Sequence, residues 1–103
     1  MAITQAGAVG TGATTMYTST NTTAITCMFF FNDNAAARTI NLHVVQSGDS
    51  ATTTNQIVKA ISIDAGDSYV INLEKLVLDN GDTIQASASA GSSVYATISS
   101  VTI

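Results

Sequence analysis

The chain has 103 residues, of which 10% are charged and 46% are hydrophobic, with a formal net charge of −4. One small domain fits this length, and its core is small enough that association would add useful stability. Arg38, Lys59 and Lys75 are the only basic side chains. No basic patch forms from them, so phosphate-backbone contacts and polybasic membrane attachment are not expected.

The start of the chain, Met1 to Gly12, is small and weakly patterned, with Gly7, Gly10 and Gly12. It reads as a flexible arm preceding a sandwich domain over 13–103. It has neither the basic region nor the long apolar run of a signal peptide, and no stretch approaches the ~20 apolar residues of a membrane span. With Cys27 as the only cysteine, an intrachain disulfide is excluded, and synthesis in a reducing cytoplasm is expected.

From Ala13 onward, strand-length segments alternate with turn signals. Ala13–Tyr17 is a first short strand. Thr23–Phe31 places Ile25, Cys27, Phe29 and Phe31 on one face by the two-residue repeat of a strand, with Met28 and Phe30 on the other. The first set is expected to face the core. Arg38–Gln46 sets Ile40, Leu42 and Val44 against Thr39, Asn41 and His43, the alternation of a half-buried strand. After a polar loop over Ser47–Asn55, Gln56–Ile63 carries Ile57, Ile61 and Ile63 in phase.

Asp64-Ala-Gly-Asp67 reads as a turn, followed by Ser68–Leu73 with Tyr69, Ile71 and Leu73 inward and a short strand Leu76–Leu78. Asp79-Asn-Gly-Asp82 is the strongest turn signal, because Asn-Gly suits two successive positive φ angles. Thr83–Ala88 places Ile84, Ala86 and Ala88 on one face. In Val94–Ile103, Val94, Ala96 and Ile98 share a face, but Val101 and Ile103 have the opposite parity. A bulge near Ser99-Ser100 would restore them. The buried set is expected to include Ile25, Cys27, Phe29, Ile40, Leu42, Val44, Ile71, Ile84 and Ile98. The fold class is all-β: an antiparallel two-sheet sandwich of seven or eight strands, with a jelly roll as the candidate topology.

Candidate chemistry is sparse. His43, the only histidine, lies on a polar strand face without a nucleophile motif, so no catalytic triad is expected. One Cys and one His cannot supply the usual ligands of a zinc site. Cys27 reads as a small buried hydrophobe. Asp64, Asp67, Asp79 and Asp82 flank two glycine turns and could offer oxygens to calcium, but turn chemistry explains them better. Glu74 and Lys75 read as a solvated pair. The glycines near the start lack the Lys-Ser/Thr of a phosphate loop. Tyr17, Tyr69 and Tyr95 are the aromatic candidates for a glycan-binding module, the main alternative function. No catalytic, cofactor or metal residue is assigned.

The stretches Arg38-Thr-Ile-Asn-Leu-His-Val-Val45, Asp64-Ala-Gly-Asp67, Leu78-Asp-Asn-Gly-Asp-Thr-Ile-Gln-Ala-Ser-Ala88 and Ala96-Thr-Ile-Ser99 resemble small virion proteins of tailed bacteriophages, cyanophages among them. The resemblance spans most of residues 14–103 and rests on strand patterning and turn residues. It implies a non-enzymatic β-sandwich structural protein: a head decoration (cement) protein or a small tail or fibre component. It also implies a virion location after synthesis in the host cytoplasm, contact with the major capsid protein or other virion proteins, and no cofactor. Low charge and a small core add the expectation of a homo-oligomer, with a trimer suggested by the threefold packing of virion sandwiches. Few charges also mean that little is lost by desolvation when such a surface enters an interface.

Overall fold

A computed structural model describes residues 2–71, 76–91 and 93–102. The strands are β1 (Ala2–Ala8), β2 (Thr14–Thr18), β3 (Thr23–Asn32), β4 (Arg38–Val45), β5 (Gln56–Ile63), β6 (Ser68–Ile71), β7 (Leu76–Leu78), β8 (Thr83–Ala88) and β9 (Val94–Thr102), with one 3-10 turn at Thr53–Asn55. They form two antiparallel sheets. One has the order β1-β9-β3-β6, with β7 also paired to β3; the other has the order β2-β8-β4-β5.

β6 pairs with Met28–Phe31 and β7 with Thr23–Ile25, so the two follow one another along a single lane beside β3. Counted by lanes, the sandwich has four strands in each sheet. The chain crosses between sheets at most connections, which is the order of a jelly roll. Leu73, Glu74, Lys75 and Ile103 lie outside the described residues, so the expectations placed on them have no structural counterpart.

The core lies between the sheets and is built from Ile25, Met28, Phe30, Ile40, Leu42, Ile63, Ile71, Leu78, Ile84, Ala86, Val94, Ala96 and Ile98, among others. The expected burial of Ile25, Ile40, Leu42, Ile71, Ile84 and Ile98 matches this set. Val44 is only half-buried, although it packs against the core.

Three residues expected to face the core, Cys27, Phe29 and Phe31, point the other way. Phe29 is 41% exposed and Cys27 is half-buried, whereas Met28 and Phe30 are buried. The cause is a bulge. Ile25 pairs with Ser100 and Cys27 with Ser99, so Thr26 is an extra residue in β3. One extra residue inverts every side chain beyond it. The Thr26 hydroxyl donates to Ser99 Oγ at 2.9 Å and occupies the irregularity. The bulge expected in β9 near Ser99-Ser100 is therefore in the facing strand. β9 keeps its phase, and Ser100 stays buried, with the Tyr17 hydroxyl 3.5 Å from its Oγ.

A similar break separates Ile57 from Ile61 and Ile63. The register of β5 on β4 shifts between Val58 and Ile61, where Ala60 takes φ +53°. Ala60 N–H donates to Asn41 Oδ1 at 2.9 Å. Ile57 consequently points to solvent, and Val58 packs against the core.

Residues 2–8, expected within an arm, form edge strand β1 along β9, from Ala2 opposite Ser100 to Ala8 opposite Tyr95. Ala6 is the extra residue of a bulge, next to Gly7 at φ +87°. Val9 follows, fully buried, its N–H bonded to Val94 O at 2.7 Å. The sandwich thus starts before residue 13.

The two Asp-X-Gly-Asp turns share one geometry. Asp67 N–H donates to Asp64 O at 3.0 Å and Asp82 N–H to Asp79 O at 3.1 Å. Only the glycine takes positive φ in each, so Asn80-Gly81 does not form the expected hairpin turn with two positive φ angles. The topology explains this: β7 and β8 lie in different sheets, so the turn has no ladder twist to match.

Asn32, at the end of β3, is fully buried. Its Nδ2 donates to Ala36 O and Ile63 O, both at 2.9 Å, and its Oδ1 accepts from Asn34 N–H at 3.0 Å. It joins the end of β5 to the connection between β3 and β4. Asn32→Ala leaves these groups without a partner and is expected to cost about 2 kcal/mol. Urea unfolding checks this; a loss below about 0.5 kcal/mol would show that the contacts are replaced without cost.

Candidate interaction surface

The two outer faces of the sandwich differ in chemistry. On the four-stranded sheet, register places Thr15, Gln85, His43 and Gln56 in one row, with Asn41 beside Ser87 and Thr39 beside Ser62 nearby. This is a face of hydroxyls, amides and one imidazole. Asn41 Nδ2 donates to Ser87 Oγ at 3.1 Å.

The five-stranded sheet presents something else. The inversion at Thr26 turns Phe29 and Phe31 outward, where they are 41% and 40% exposed. Ladder register fixes their neighbours. One row reads Ala8, Tyr95, Phe31, Ser68; the next Gln5, Thr97, Phe29, Val70. A third holds Ile3, Ser99 and Cys27, and a fourth Val101, Ala24 and Val77. Ile3, Val70, Val77 and Tyr95 are all exposed. Cross-strand neighbours on one face are in contact range, so Phe29, Phe31, Tyr95 and Val70 make a continuous apolar surface.

None of the described charged residues stands in these rows. Asp33, Asp49, Asp64, Asp67, Asp79 and Asp82 lie in connections, and Arg38 and Lys59 in the other sheet. Isolated exposed apolar side chains are ordinary, but a continuous apolar face marks a contact site. Exposing Phe29 and Phe31 in one strand, with Tyr95 beside them, is a standing solubility cost unless a partner covers them.

The other candidates are not assembled into a site. His43 stands between Gln85 and Gln56 by register, and its Nδ1 is buried without a hydrogen-bond partner. Cys27 is on the apolar face opposite Ser99. Tyr17 and Tyr69 pack against the core and only Tyr95 is exposed, so the tyrosines do not form a shared platform. Asp82 spends both oxygens on the backbone, accepting from Ser47 N–H and Asp79 N–H, each at 2.9 Å. Among the described residues no group of three or more His, Cys, Asp or Glu side chains could hold a metal ion.

A cleft of about 580 Å³ opens between the polar loop and β7, lined by Asp49, Thr52, Gln56, Ile57, Val77 and Asp82 among others. Its polar lining comes mostly from the loop that carries Asp49, Ser50, Thr52, Thr54 and Asn55. No helix among the described residues is long and apolar enough to cross a membrane. No protein-family model matches the chain, and neither a curated protein nor a solved structure shows significant similarity to it.

Proposed function

We propose that the protein is a non-enzymatic structural component of a bacteriophage virion, a capsid decoration (cement) protein that stabilises the particle through subunit contacts. The observation that carries this reading is the uncharged apolar outer face of the five-stranded sheet, centred on Phe29, Phe31, Tyr95 and Val70. A free protein gains nothing from that face. A protein that works by being packed against other subunits needs one. The resemblance of residues 38–45, 64–67, 78–88 and 96–99 to tailed-phage virion proteins supports the particle as the setting.

The test is biochemical. Density-gradient-purified particles from the source should contain the chain in a fixed ratio to the major capsid protein. Particles stripped of it should disrupt at a lower temperature and recover when it is added back. Phe29→Asp, which puts a charge in the apolar face, should fail to restore them. Absence of the chain from particles, or full recovery with the Phe29→Asp protein, would overturn the proposal.

A further inference from the structure

The apolar face is also uneven, and its unevenness is ordered along the strands. The Tyr95–Phe31 and Phe29–Val70 rows occupy one end of the sheet with three aromatic rings. The opposite end carries Cys27, Ser99, Ala24 and Val101 in its two central lanes, with exposed Ile3 and Val77 in the outer lanes. Along the two central lanes, β9 and β3, one half stands high and the other is shallow. Resting on the reading that this face is a contact between protein subunits, we infer that its partner is a second copy of this chain, in a twofold pair.

The geometry selects the axis. Two sheets stacked face to face are related by an axis lying in the plane between them. If that axis runs across the strands, each lane meets its own copy in reverse. Phe31 then lies over the partner copy's Ala24, Phe29 over its Cys27, and Tyr95 over its Val101. The tall half of each copy fills the shallow half of the other, as an isologous interface requires. An axis along the strands would instead set rings against rings and leave the shallow ends apart.

Charge and size agree with this partner. Two chains that each carry a net charge of −4 repel, but no described charged residue stands in the face, so the contact itself sets no like charges together. The described strands of this sheet, at ~3.3 Å per residue and ~4.8 Å between lanes, give a planar face on the order of 500 Å². That footprint is on the scale of a small interface, below the ~800 Å² per partner of a standard one, and fits association in the micromolar range. A face that pairs with itself about a twofold axis closes at two copies, so the expected assembly is a dimer where the sequence suggested a trimer. Such a dimer presents two polar sheets outward and could clip two neighbouring sites on a particle.

Sedimentation equilibrium across the micromolar range tests this. The wild-type chain should associate to twice its 10.5 kDa mass, and the Cys27 thiol should react more slowly with Ellman's reagent as concentration rises. Phe29→Asp should weaken the pair by at least tenfold, and so should Ala24→Trp, which fills the shallow end. Ser87→Asp on the opposite sheet should leave it intact. Circular dichroism of each variant confirms folding. A wild-type monomer, a trimer, or a dimer indifferent to both face variants overturns the inference. If the wild type is monomeric and Phe29→Asp still loses particle binding, the face belongs to another virion protein, and the cement reading stands alone. If the dimer forms as described but particles lack the chain, the cement reading falls and the pairing remains.

Discussion

Replacing Phe30 by Ala is expected to cost about 3–5 kcal/mol, whereas replacing its neighbour Phe29 by Ala should cost less than about 1 kcal/mol. The two rings are adjacent in sequence and chemically identical. Phe30 is fully buried between the sheets, opposite Ala96 on one side and Tyr69 on the other. Truncating it removes a ring from the middle of a small core and leaves a cavity that the flanking strands cannot close. Phe29 lies on the outer face, so its truncation removes little buried surface from the monomer. Urea unfolding at low protein concentration, where association does not contribute, separates the two. Equal losses, or a larger loss at Phe29, would mean that the phase inversion at Thr26 does not occur.

That comparison also shows where sequence reasoning stopped. The spans of β3, β5, β7 and β8 were legible to within a residue, because alternation and turn residues mark where a strand begins and ends. Which face turns inward was legible only until the first bulge. In β8, which has no break against β4, Ile84, Ala86 and Ala88 all point inward as their parity predicts. In β3 a single unpaired Thr26 reverses the assignment of five residues, Cys27 to Phe31, and β5 is broken in the same way at Ala60. Nothing in Thr-Cys or Lys-Ala announces a bulge; it is set by the partner strand. Asn80-Gly81 marked its turn correctly but not the turn's type, since that depends on whether the flanking strands share a sheet.

The candidate surface was hidden by the same error. Phe29 and Phe31 were read as core, and a core residue is not sought as a contact site. Only the register, which sets Tyr95, Thr97, Val70 and Ser68 beside them, makes the face visible. Composition did point to the outcome in general terms: a chain with 10% charged residues must leave some surface without charge. It could not say that the apolar part of that surface is gathered on one sheet.

Deleting residues 2–8 is expected to lower stability by about 3 kcal/mol, contrary to what a flexible arm would predict. The stretch lacks strong alternation and carries Gly7, which is why it reads as an arm. In the fold it is the outer lane of the five-stranded sheet, paired to β9 along its length, and its bulge at Ala6 lets it follow the sheet's curvature. The ladder bonds it makes are largely offset by the ~1–2 kcal/mol per residue of backbone entropy that ordering costs. What remains is coverage. Ala6 packs against the core, and the strand shields the flank of Ala96 and Ile98. Uncovering on the order of 120 Å² of apolar surface at about 25 cal/mol per Å² comes to about 3 kcal/mol. In a domain of this size that loss lowers the thermal midpoint by roughly 12–24 °C. Calorimetry on the shortened chain reads it directly. An unchanged midpoint would show that β9 can serve as the edge by itself, and that residues 2–8 contribute only to contacts between molecules.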